Sequence, residues 1–132
     1  MIFAKAYVVT LIVFLCLDFI WLGFIAKDFY GSQLDNFMRV NINYAAAIIF
    51  YIIYVGGIIF FAVEPALAES SWIKAAVNGA ILGLIAYGTY DLTNFATLKN
   101  WPLNISLVDM FWGSCLTCLS SVIGFFITKS LP

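Results

Sequence analysis

Apolar residues run almost unbroken through four stretches of the chain, at roughly Ile2–Ala26, Asn43–Val63, Lys74–Thr97 and Leu107–Thr128. A helix needs about 20 residues to cross the hydrocarbon of a bilayer, and each stretch meets that length. In lipid a lone segment satisfies its own backbone groups only as a helix. The pattern therefore predicts four transmembrane helices. The polar interruptions fall where such helices should end. Glu64-Pro65 is expected to stop the second and Ser70-Ser71 to cap the third. Trp101-Pro102 should break the chain before the fourth, where Ser106-x-x-Asp109 has the spacing of a capping box.

Between the first two stretches, Tyr30, Leu34, Phe37 and Met38 recur at i, i+4, i+7 and i+8, with Asp28, Ser32, Asp35 and Arg39 elsewhere. That spacing describes a short amphipathic helix in the headgroup region, the alternative being a loop with anchoring aromatics. Trp72 and Trp101 lie near predicted span ends, where aromatic belts form. The expected fold is an all-α integral membrane protein. It is a four-transmembrane-helix bundle with a short interfacial helix in the first loop, forming one domain over residues 1–132.

Composition agrees. Of the 132 residues, 64% are hydrophobic and 10% charged, more apolar surface than a soluble domain of this size can hide. The lipid bilayer is the implied partner. A net charge of −1 with six scattered basic residues argues against nucleic acid. The first apolar run continues past Asp18 to Ala26 without a small-residue cleavage site, so it reads as a retained span rather than a signal peptide. With four spans, Lys5, Lys74 and Lys129 fall on one side and Lys27, Arg39 and Lys99 on the other. This tie gives no orientation and is what a dual-topology antiparallel homodimer produces, though small numbers also tie by chance.

Three acids change the picture: Asp18, Asp91 and Asp109 lie in or at the edge of apolar segments, and the chain contains no His. A carboxylate in hydrocarbon costs at least ~2.5–3.5 kcal/mol on insertion scales, so such residues tend to face a bundle interior and carry function. The up-and-down topology gathers them. Asp18 falls roughly 13 Å from one membrane face, Asp91 roughly 9 Å and Asp109 about one turn, all in the same half. Along the third segment Gly83, Tyr87, Tyr90, Asp91 and Asn94 form one stripe, and Asp-x-x-Trp occurs twice, at Asp18/Trp21 and Asp109/Trp112. Acids among Tyr and Trp faces can hold a cation by charge and by cation–π attraction. The expected ligand- or ion-binding set is therefore Asp18, Trp21, Tyr87, Tyr90, Asp91, Asn94, Asp109 and Trp112.

Some of these residues and their neighbours also have a structural reading. Asp109 could be only a helix cap, Asp91 a hydrogen-bond hub, and Tyr51 and Tyr54 either packing or pocket lining. Gly79-x-x-x-Gly83 marks a close helix contact, within the bundle or between protomers. Cys115-x-x-Cys118 sits mid-helix, where redox pairs are not normally placed, and no metal site or cofactor is expected.

Leu17-Asp18-x-x-Trp21-Leu22-Gly23, the run Tyr87-x-x-Tyr90-Asp91-Leu92-Thr93-Asn94-x-Ala96-Thr97, Trp101-Pro102 and Asp109-x-x-Trp112-Gly113 together resemble a family of small bacterial membrane proteins of unknown function. The resemblance implies four spans and a bacterial inner membrane, and brings no reaction. In function, the residues favour a small transporter or ion-coupled binding protein. Its intramembrane carboxylates would exchange protons or cations with a polar or cationic solute. In size and in its deep acid on the first helix the chain is similar to the small multidrug-resistance transporters. A membrane-embedded enzyme acting on a lipid-like substrate has few catalytic groups to work with here. An accessory subunit whose acids pair with a partner is the third reading.

Overall fold

The computed structural model describes residues 2–38 and 41–132; the expectation on Arg39 lies outside the described residues. Helix α1 (Ile2–Ile20) leads through a π-helical turn, Trp21–Ile25, into the short α2 (Lys27–Leu34) and a 3-10 turn at Asp35–Phe37. Helix α3 (Tyr44–Ile58) continues through a second π turn, Ile59–Val63, into α4 (Glu64–Glu69), and α5 (Trp72–Thr97) and α6 (Leu103–Ser130) complete an all-α bundle. Three of these rods, Ile2–Ile25, Tyr44–Glu69 and Leu103–Ser130, are long and apolar enough to cross a membrane. The fourth, α5, is as long at 26 residues but carries the polar stripe.

Large apolar side chains such as Phe19, Ile53, Ile85 and Phe111 point outward, as lipid-facing helices require. The interior holds Phe14, Val55, Ile58, Ile59, Val63 and Leu116. Small residues set the spacing of α5 and α6. At Gly83 a Cβ would overlap the carbonyl of Gly113, and at Gly79 it would lie 2.6 Å from the Ser121 hydroxyl. The Gly79/Gly83 contact is thus made within the bundle. The Lys5 side chain bonds the Pro132 carbonyl, so the first and last turns share one end.

Several expectations about helix ends are corrected. Pro65 does not stop the second rod, which runs on to Glu69. A proline clashes with the carbonyl four residues back, and the wider π turn immediately before it absorbs that clash. The stop comes at Ser70, whose φ of 50° is left-handed, and Ser71 then caps α5 by accepting from the Lys74 N–H. Ser106-x-x-Asp109 is not a capping box. Helix α6 already starts at Leu103, after Pro102, and Ser106 lies inside it. Trp101 is not in an aromatic belt either: it is 7% exposed, packs on Tyr90 and Phe37, and donates to Ser106. Trp72, half exposed, remains where a belt residue would be.

The helix expected in the first loop is present as α2. Its aromatic side turns onto the end of the bundle, with Tyr30 reaching α6.

Candidate functional site

Helices α1 and α6 run antiparallel, so Asp18 on the one lies level with Trp112 on the other, and Asp109 level with the end of α1. The Trp112 indole N–H donates to one oxygen of Asp18 at 3.2 Å, and the Tyr51 hydroxyl of α3 donates to the other at 2.7 Å. Asp18 is 6% exposed, so its carboxylate is held almost entirely by these two donors. At the far end, the Tyr30 hydroxyl of α2 donates to Asp109 at 2.9 Å while accepting from the Trp21 indole at 3.0 Å. Trp21 and Trp112 stack with centroids 4.5 Å apart and planes 9° from parallel. A continuous line of polar contacts and stacked rings thus joins the two acids.

Tyr30 lies outside the spanning helices. Burial pushes its phenol well above the ordinary tyrosine value, with the charge of Asp109 adding to the effect. It is therefore a neutral donor throughout the physiological range.

Beside this line is a cavity of about 450 Å³, bordered by Asp18, Tyr51, Tyr87, Tyr90, Asp109 and Trp112, with Leu22, Phe50 and Ala86 completing the wall. This is the size of a pocket for a small organic molecule, and its walls are mainly apolar and aromatic around two carboxylates. A groove of about 440 Å³ lined by Leu15, Cys16 and Phe19 reaches the Asp18–Tyr51 pair from the lipid side. A third cavity, about 200 Å³, lies beneath α2 and is bordered by Asp91, Asp109, Tyr30 and Tyr90.

The eight residues expected from sequence therefore divide. Asp18, Tyr87, Tyr90, Asp109 and Trp112 border the main cavity, whereas Trp21 does not line it but stacks on Trp112 behind its wall. Asp91 does not border it; this acid borders the smaller neighbour with its oxygens buried, and Asp109 and Tyr90 line both. Asn94, one turn beyond Tyr90, borders neither of these cavities. Tyr51 is pocket lining and the direct partner of Asp18, whereas Tyr54 is core, sharing a buried hydrogen bond of 2.8 Å with Thr117.

Tyr30 was legible only as part of an apolar face. The available signal was its hydroxyl, because a tyrosine that buries its ring seeks a partner for its O–H.

An all-α bundle with lipid-facing sides and acids gathered inside defines a small multi-pass membrane protein with an ionisable interior. The chain belongs to the family described as "Predicted membrane protein (DUF2177)", which it matches over residues 3–126. No curated protein and no solved structure matches it.

Proposed function

We propose that this protein is a small ion-coupled membrane transporter or binding protein whose main cavity takes a small organic cation. Asp18 supplies the counter-charge. Tyr87, Tyr90 and Trp112 supply aromatic faces for the organic body, Trp21 backs Trp112, and Asp109 closes the cavity toward α2. The observation that carries this reading is the pairing of a buried carboxylate, Asp18, with a cavity of about 450 Å³ walled by aromatic rings. A cation beside several rings gains attraction beyond that of the carboxylate alone. A bare metal ion needs neither the volume nor the rings. The groove at Leu15, Cys16 and Phe19 gives an amphipathic solute a route from the bilayer to the same acid.

Benzyltrimethylammonium is a suitable probe. Its binding to the purified protein, followed by quenching of tryptophan fluorescence, should weaken at least tenfold in Asp18→Asn, roughly the 1.4 kcal/mol expected of one lost charge contact. In proteoliposomes the same variant should lose proton-coupled uptake of the probe. Equal affinity and equal flux in wild type and Asp18→Asn would sink the reading.

A further inference from the structure

Asp91 is 1% exposed, and neither of its carboxylate oxygens has a hydrogen-bond partner among the described residues. Its own backbone carbonyl accepts from Ser106, so the backbone around it is satisfied while the side chain is not. An ionised carboxylate left bare inside a protein is strongly unfavourable unless water, a proton or a cation compensates it. Asp91 borders the cavity of about 200 Å³ beneath α2, its two oxygens buried behind that wall where a bare ion or a proton fits better than a hydrated one. Asp109 borders the same small space, so the two carboxyls repel one another when both are ionised.

We propose that Asp91 and Asp109 form a second site, adjoining the Asp18 cavity through Asp109, which holds one small monovalent cation, a proton or Na⁺, between their carboxyl groups. One positive charge shared between two facing acids removes their repulsion and satisfies the bare oxygens of Asp91. Tyr30 already occupies one oxygen of Asp109 from the α2 side, leaving the other for the ion. The remaining groups facing the cavity are Tyr90 from α5, Trp101 from the turn before α6, and the apolar Leu22, Leu34, Met38 and Ile105. Asp18 and Tyr87 border the main cavity, which Asp109 also lines. No basic side chain among the described residues lines the space.

Because Asp109 and Tyr90 border both cavities, occupancy of this site alters the charge presented to a solute beside Asp18. The ion of an ion-coupled cycle would sit here. The inference depends on the proposed function for that role, and not for the site's existence.

The test is thermal unfolding of the purified full chain, wild type and Asp91→Asn, with Na⁺ exchanged for K⁺ at constant ionic strength and at several pH values between 5 and 8. An amide at position 91 can donate to Asp109, so this variant meets its own bonding needs without an ion. If Na⁺ is the ligand, it should raise the wild-type midpoint by roughly 3–5 °C and leave Asp91→Asn unmoved. If the ligand is a proton, Na⁺ has no effect, and wild type gains stability over Asp91→Asn as the pH falls. Asp109→Asn should abolish the same response, which keeps the test decisive if the first variant folds poorly. Identical Na⁺ and pH responses in wild type and both variants would overturn the proposal. Asp18→Asn should retain the response, so failure of the organic-cation reading leaves this result interpretable by itself.

Discussion

Trp21 and Trp112 stack face to face at 4.5 Å, and each serves the acid of the other's sequence motif. Trp112, which follows Asp109 in Asp109-x-x-Trp112, donates to Asp18. Trp21, which follows Asp18 in Asp18-x-x-Trp21, donates to Tyr30, and Tyr30 donates to Asp109. The crossing follows from antiparallel packing. Each motif climbs its helix by one turn in the opposite direction, so the Trp of one comes level with the Asp of the other.

This arrangement predicts an asymmetry between two similar substitutions. Phenylalanine at either position keeps a ring for the stack and removes only the indole N–H. Trp112→Phe takes a donor from a buried acid and should cost about 1.5–3 kcal/mol, whereas Trp21→Phe takes one from a neutral phenol and should cost about 0.5–1.5 kcal/mol. The double variant should differ from the sum of the singles, because the stack couples the two positions. Unfolding in mixed micelles measures all three. A larger loss for Trp21→Phe would mean that Trp112 is not the effective donor to Asp18.

Tyr30 should act as a latch between α2 and the bundle. In Tyr30→Phe, amide hydrogen exchange over residues 27–34 should rise several-fold, while exchange in α5 and α6 changes little. The latch also has a pH limit. Its phenol ionises less readily in the fold than in the unfolded chain, whose value is near 10.0. Its contribution is therefore complete below that value and declines as the pH rises beyond it, once the unfolded chain gives up its proton. Tyr30→Phe should lack this alkaline loss, and parallel stability curves for the two proteins above pH 10 would refute the latch.

The helices and the gathering of acids were readable because both follow from simple periodicity. About 20 apolar residues specify a span, and up-and-down topology places Asp18, Asp91 and Asp109 in one half of the bundle. What periodicity could not give was the rotation of each helix about its own axis. A turn of a few tens of degrees decides whether Asp91 faces the main cavity or its neighbour, and whether Tyr51 packs in lipid or reaches Asp18. The π turn before Pro65 was hidden for a related reason. Proline marks a lost N–H, but only three-dimensional context says whether the chain stops or widens by one residue to continue. Trp101 beside Pro102 looked like a belt residue until the turn folded it inward onto Tyr90.

Two glycines should separate packing from flexibility. At Gly83 a Cβ would collide with the Gly113 backbone of the neighbouring helix, which has no flexible end to yield. Gly83→Ala should destabilise the protein by about 3 kcal/mol or prevent its folding. Gly57 on α3 has nothing within 4 Å of where its Cβ would stand. Gly57→Ala should be neutral or stabilising by up to about 1 kcal/mol, since alanine is the better helix former. Equal effects in the two variants would contradict the close packing of α5 on α6.

Ser106 makes the last case, because its hydroxyl ties the end of α5 to the start of α6 at the rim of the smaller cavity. It accepts from the buried Trp101 indole at 2.9 Å and donates toward the Asp91 carbonyl at 3.2 Å. Ser106→Ala leaves that indole N–H without a partner inside the protein, which should cost about 1–3 kcal/mol. Ser106→Thr keeps the hydroxyl and should recover most of the loss if the added methyl is tolerated. Because Trp101 borders the space that Asp91 faces, freeing its ring should also alter its emission, which can be followed in a protein whose other three tryptophans are phenylalanine. A Ser106→Ala protein with unchanged stability and unchanged Trp101 emission would show that the hydroxyl does not hold this turn.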